Sequence, residues 1–282
     1  MKLSSLLALL VLPLSAFAAK PSDAPIVWNN PAPARPPNPD LHHRSFHSPS
    51  IGEEVGYNVY LPPGYNDPAH GDTRYPVLYF LHGATGNENS DAGGVAGLVS
   101  GLIAANKIPP VLCVFPNGGP YSGYRDHPNS KQQVETMIIR ELLPLIDREF
   151  RTQPTRDARA IFGFSMGGAG AVRYALTYPD LFSAAGAWAG AFRYRTQPEN
   201  TLPAVYAVDV LKPLAHRVQL LLVVGSDDNT LDSHAPVLTN LVAAKFPFTF
   251  ELLPRVAHDP GAYYQHSGEK MLRFLTTGFP PR

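Results

Sequence analysis

Hydrophobic and polar positions sort most of this chain into two recurring patterns. Residues 75–81 (Tyr-Pro-Val-Leu-Tyr-Phe-Leu), 111–115 and 160–164 are short, continuous apolar runs. Such runs predict strands buried on both faces, as at the centre of a parallel sheet. Residues 182–188, 219–224 and 248–253 give further strands, and residues 54–61 alternate as a half-buried strand does before Pro62-Pro63-Gly64-Tyr65 ends it. Between these runs the period changes to that of a helix. Val95, Leu98, Leu102 and Ile103 share a face within residues 91–106. Val134, Met137, Ile138, Leu142, Leu145 and Ile146 do so within residues 131–150, where Pro144 predicts a kink. Residues 168–176 and 263–276 complete the helical set. Alternating buried strands and helices predict a three-layer α/β fold with a mostly parallel central sheet. No internal repeat or second domain boundary interrupts it.

The N-terminal part breaks the pattern. Met1-Lys2, an apolar run and Ala16-Phe17-Ala18 make residues 1–18 a cleavable secretory signal peptide, too short to span a membrane. Export, to the periplasm or the medium, is the expectation. Residues 19–45 form a proline-rich arm outside the core, with His42, His43 and His47 read as solvated rather than as metal ligands. Residues 46–282 are expected to form a single α/β domain, a length one such domain can fill. Lysine plus arginine equals aspartate plus glutamate at 23 each, so no net field draws the chain to nucleic acid or to a membrane surface. Cys113 is the single cysteine, which excludes an intramolecular disulfide.

The chemistry gathers at Gly163-x-Ser165-x-Gly167, between the strand at 160–164 and the small-residue helix that follows. A strand turning directly into a helix strains its central residue and requires small neighbours two positions away. The turn lifts the Ser165 hydroxyl above the sheet and points the free N–H groups of a helix N-terminus at the same place. A serine nucleophile needs a histidine base oriented by a carboxylate, in the chain order serine, acid, histidine. Asp227 and Asp228 follow the strand at 219–224, where a parallel sheet presents its loops. His258 lies in the loop after the 248–253 strand. His216 precedes the acids, His234 falls on the next helix and His266 on the last one, which leaves His258 as the base. The Met166 N–H and the loop His82-Gly83-Ala84 are placed to hold an oxyanion, with His82 in a structural hydrogen-bonding role.

These segments resemble a known family. Tyr60-Leu61-Pro62-Pro63-Gly64-Tyr65, Leu78-Tyr79-Phe80-Leu81-His82-Gly83, Asn117-Gly118-Gly119 with Tyr124 and Asp126, residues 141–147, Gly163-Phe164-Ser165-Met166-Gly167-Gly168 and Gly225-x-x-Asp228 carry the likeness. Together they resemble the esterase branch of the α/β hydrolases, which holds esterase D, the feruloyl and acetylxylan esterases of carbohydrate esterase family 1, and the mycolyltransferases. The family's Gly-Gly-His-Asp ending stands here as Val256-Ala257-His258-Asp259. The resemblance implies Asp228 as the acid, a Ser165–His258–Asp228 triad, and an oxyanion hole of the Ala84 and Met166 N–H groups. It implies no metal and no organic cofactor. The expected activity is hydrolysis of carboxylic esters, acetyl or feruloyl esters of plant cell-wall polysaccharides in particular. An acyltransferase would share every one of these residues, and an inactive binding protein would share the fold. Tyr121, Tyr124, Tyr263 and Tyr264 flank the converging loops, either to stack on a sugar or phenolic group or simply to pack them. Oligomeric state is not legible.

Overall fold

The computed structural model describes residues 25–33, 38–127, 132–192 and 202–280. The expected signal peptide at 1–18 lies outside the described residues, as does part of the proline-rich arm. Eight strands form one sheet: β1 (Leu41–Ser48), β2 (Glu53–Tyr60), β3 (Val77–Leu81), β4 (Leu112–Pro116), β5 (Arg159–Phe164), β6 (Ala184–Trp188), β7 (Gln219–Gly225) and β8 (Thr249–Leu253). The helices are α1 (Ala92–Ala104), α2 (Val134–Thr136), α3 (Leu143–Glu149), α4 (Met166–Thr177), α5 (Val208–Leu211), α6 (Leu231–Ala243) and α7 (Pro260–Thr276).

Strand order is β1-β2-β4-β3-β5-β6-β7-β8. β1 pairs antiparallel with β2, and β2 with β4; every later pair is parallel. The three-layer, mostly parallel expectation is thereby met. β3 sends Val77, Tyr79 and Leu81 to a core shared with residues of α3, α4 and α6, and Leu78 and Phe80 to a core shared with α1 and α7. That period of two is what a strand covered by helices on both faces must show. Every parallel strand ends on the same edge of the sheet. The loops after β3, β5, β7 and β8 therefore meet there.

Three features differ from the expectation. The sheet begins at Leu41, so the arm boundary at residue 45 falls inside β1. His42 and His43 stand in that strand, and the His43 ring lies 3.5 Å from the Glu88 carboxylate. Residues 25–33, read as lying outside the core, are anchored to it. Trp28 is buried and packs against Gly119. The Trp28 carbonyl accepts from the Gly56 N–H at 2.8 Å, and Asn30 donates to the buried Glu88 carboxylate from both its backbone and side chain. Finally, the helix expected across 131–150 contains a π-helical stretch, Met137–Leu142, just before Pro144. The Leu143 N–H there donates to the Ile138 carbonyl, five residues back. Proline brings no N–H and its ring clashes with the carbonyl four residues earlier, and a widened turn makes room for it.

Candidate active site

The strand-to-helix turn after β5 fixes Ser165 at φ 55° and ψ −115°, a conformation a non-glycine residue rarely adopts. Such strain costs about 1–3 kcal/mol and persists where the surroundings over-determine it. They do so here. The Ser165 N–H donates to the Trp188 carbonyl at 2.8 Å, and its own carbonyl accepts from Ala191 at 3.0 Å. The spacing of the two glycines has a direct steric cause. A Cβ at Gly163 would stand 2.5 Å from the Leu81 carbonyl oxygen, and one at Gly167 would overlap that same oxygen. The end of β3 fills the space their side chains would need.

Across the sheet, the loops after β7 and β8 clasp each other. The Ser226 N–H donates to Leu253 at 2.9 Å and the Asp227 N–H to Val256 at 3.1 Å. A Cβ at Gly225 would overlap the Val256 carbonyl oxygen, so glycine at that position lets the two loops approach. The clasp carries Asp228 to His258. His258 Nδ1 lies 2.9 Å and 3.0 Å from the two Asp228 carboxylate oxygens, and its Nε2 lies 3.0 Å from Ser165 Oγ. Ser165, His258 and Asp228 are thus brought together as the sequence led one to expect. Asp227 is not: it is exposed, and among the described residues its carboxylate accepts only from Ser226 Oγ, at 2.9 Å. The structure itself separates the two acids.

Asp228 is held by more than histidine. Burial pushes its pKa up, but hydrogen bonds from His258, Thr230 and Tyr263 outweigh burial and bring it down to about 2. Asp228 Oδ1 accepts from the Thr230 N–H at 2.8 Å and hydroxyl at 2.7 Å, and Oδ2 accepts from the Tyr263 hydroxyl at 2.7 Å. A carboxyl depressed in this way favours the folded chain above the ordinary carboxylate range, and that contribution is lost as the pH falls towards about 2. Tyr263 is a neighbour of the acid that the sequence suggested only as stacking on a sugar or phenolic group or as packing the loops. It is fully buried, and its oxygen also accepts from the Gly225 N–H at 2.7 Å. Its place in the first turns of α7, just after His258, was the available signal.

The other candidates resolve plainly. His82 is buried, and its Nε2 accepts from the Gly118 N–H at 2.9 Å, which leaves the proton on Nδ1 for the Gly83 carbonyl at 2.7 Å. Burial lowers its pKa to about 4, so it is neutral and ties the loop after β3 to the loop after β4. The Tyr124 hydroxyl donates to the His82 carbonyl at 3.0 Å from a buried position. His234 is buried in α6, with Nδ1 3.0 Å from the Thr230 carbonyl. His266 lies on α7 and His216 precedes β7. Met166 opens α4, where backbone N–H groups have no partner within the helix. In the loop after β3, Thr85 donates its N–H to Pro120 at 2.7 Å and Gly86 to Gly83 at 3.2 Å. The Ala84 N–H makes no hydrogen bond among the described residues. Of the four tyrosines, Tyr124 and Tyr263 are buried, Tyr264 is half-buried with its ring tilted against Trp188 at 5.1 Å, and Tyr121 is 60% exposed. A cleft of about 410 Å³ opens above Ser165, lined by residues 83–86, Ser90, Asp91, Phe164, His258 and Pro260.

A mostly parallel eight-stranded α/β sheet with a strained serine between a strand end and a helix N-terminus, facing a histidine-bearing loop, defines the α/β-hydrolase class. Within it, the chain belongs to the family described as "Putative esterase", whose model matches residues 48–245. It is 37% identical over 160 residues to an esterase of Mycobacterium tuberculosis, an alignment covering 54% of this chain and 33% of that protein. It is equally identical, 37% over 148 residues, to an endo-1,4-beta-xylanase/feruloyl esterase of Xylanibacter ruminicola, covering 51% of this chain and 20% of that one. The chain thus spans a third or less of the length of these relatives. A solved ferulic acid esterase superposes with a TM-score of 0.76 at 26% identity, over 85% of this chain and 98% of the other.

Proposed function

We propose that this chain is an exported serine esterase that releases acetyl or feruloyl groups from plant cell-wall polysaccharides. The observation that carries the mechanism is the continuous relay from Ser165 Oγ through His258 to Asp228, at 3.0 Å and 2.9 Å. Ser165 attacks the ester carbonyl while His258 Nε2 takes its proton. Asp228, ionised, holds Nδ1–H and stabilises the imidazolium without taking the proton itself. The tetrahedral oxyanion sits on the Ala84 and Met166 N–H groups. Collapse expels the alcohol, protonated by His258, and leaves an acyl-enzyme. Water, activated by the same histidine, then releases the acid. The substrate class is supported by the two feruloyl-esterase likenesses, and export by the pattern of residues 1–18. No helix among the described residues is long and apolar enough to cross a membrane.

Hydrolysis of p-nitrophenyl acetate, methyl ferulate, acetylated xylan and a medium-chain lipid ester is the direct test. The expected order places acetyl and feruloyl substrates ahead of the lipid ester. A clear preference for long acyl chains, or faster transfer to an added alcohol than to water, contradicts the assignment. N-terminal sequencing of protein secreted by a bacterial host should begin just after Ala18.

Tyr263 gives a separate expectation. Tyr263→Phe removes a donor from Asp228 and leaves the buried Gly225 N–H without its acceptor. An orphaned buried N–H costs about 1–3 kcal/mol, and for a chain of this size each kcal/mol lowers Tm by about 2–4 °C. Turnover should fall roughly tenfold with KM nearly constant, because the phenol positions the acid rather than the substrate. Steady-state kinetics and a thermal melt of the variant check both parts.

A further inference from the structure

Asp91 occupies the N-cap position of α1 yet its side chain does not cap the helix. An aspartate there ordinarily accepts from the N–H groups of the first turn. Here the backbone is left-handed, at φ 63° and ψ −12°, and the carboxyl makes no cap bond but lies within electrostatic reach of the Tyr264 hydroxyl. The Tyr264 ring packs against Trp188, tilted 54° with centroids 5.1 Å apart, and lies beside Gly94 of α1. So the conformation costs strain and forgoes the usual cap. What it achieves is placement: Asp91 lines the same cleft as Ser165 and His258.

The rest of that wall is already occupied with its own bonds. Ser90 Oγ accepts from the Asn87 N–H at 3.0 Å, and the Thr85 hydroxyl donates to the Ala84 carbonyl at 2.6 Å. Among the described residues, no lysine or arginine lines the cleft. A carboxylate has about four acceptor sites, and the Tyr264 hydroxyl beside Asp91 makes no hydrogen bond of ordinary geometry among the described residues, so it takes up none of them. Asp91 therefore brings spare acceptor capacity and a negative charge to a partly desolvated wall beside the nucleophile. Burial raises its pKa and the Tyr264 hydroxyl lowers it in part.

We infer that Asp91 is a specificity residue that accepts a hydrogen bond from a neutral hydroxyl of the bound ester and turns away esters carrying a carboxylate nearby. This rests on the serine-esterase reading above and narrows its substrate class to hydroxyl-bearing esters. The hydroxyl can sit on the acyl part, as a phenol, or on the alcohol part, as a sugar. A cleft built to accept from a substrate hydroxyl discriminates against the analogue lacking it, because the buried acceptor is then left unpaired.

The test compares ratios of kcat/KM within matched pairs, for the parent, Asp91→Asn and Asp91→Ala. Methyl ferulate against methyl 3,4-dimethoxycinnamate isolates the phenol. Acetylated xylo-oligosaccharide against p-nitrophenyl acetate isolates the sugar. In the parent, at least one ratio should favour the hydroxyl-bearing member. Asp91→Ala should lower that ratio about tenfold, and the pair affected identifies which part of the ester Asp91 meets. Asp91→Asn keeps one acceptor oxygen and tolerates the left-handed backbone, so it should fall between parent and alanine while gaining activity on a carboxylate-bearing ester such as monomethyl succinate. Both ratios unchanged in both variants overturns the assignment. A parent inactive on every substrate, p-nitrophenyl acetate included, would instead overturn the esterase reading beneath it.

Discussion

Ser165→Ala should lower turnover of p-nitrophenyl acetate by about 10⁶-fold, the loss seen when the nucleophile of a serine triad is removed. The change deletes a single oxygen, and the one hydrogen bond that oxygen makes among the described residues is to His258 Nε2 at 3.0 Å. The Cβ stays, and the backbone bonds of the turn to Trp188 and Ala191 do not involve the side chain. The fold should accordingly survive with Tm within a degree or two of the parent. Residual activity then comes from the oxyanion N–H groups and substrate binding alone. Turnover within tenfold of the parent would remove Ser165 from the nucleophile's role.

The second large effect separates two adjacent acids. Asp228→Asn should cost roughly 10⁴-fold in kcat, as replacement of the triad acid does elsewhere. An amide in that place can donate to His258 Nδ1 and so favour the tautomer that carries its proton on Nε2, which cannot accept from serine. It also removes the negative charge that stabilises the imidazolium. Asp227→Asn should change kcat less than twofold, since its exposed carboxylate touches only the neighbouring Ser226 hydroxyl. Because Asp228 keeps its charge down to about pH 2, an acid limb of kcat/KM lying well above that value belongs to another group. Equal, small losses from both substitutions would mean that the acid is elsewhere.

The parts of this molecule that could be read from its sequence are those whose causes are local. β3, β4 and β5 are buried on both faces, and burial on both faces writes itself as an unbroken apolar run. The elbow is legible because the Leu81 carbonyl excludes any side chain at Gly163 and Gly167. Where the cause lies far along the chain, the reading failed or stayed open. β1, Leu-His-His-Arg-Ser-Phe-His-Ser, is an edge strand with polar residues on both faces, so no period marks it. The segment around Trp28 looks like a solvated proline-rich arm until Glu88 and Asn117 supply its partners. Tyr263 reads as an aromatic that stacks on substrate or packs the loops, and only the turn of α7 towards β7 places its hydroxyl on an acid 35 residues away. Spacing alone left Asp227 and Asp228 equivalent; the clasp between the loops after β7 and β8 distinguishes them.

The central claim is that Ser165 forms the covalent acyl-enzyme, and its most direct test is labelling with an alkyl fluorophosphonate followed by peptide mass spectrometry. The account predicts a single adduct on Ser165, formed in proportion to the loss of esterase activity and absent from both Ser165→Ala and the acid-unfolded chain. A stoichiometric adduct on any other residue, or full activity in protein labelled at Ser165, would contradict it.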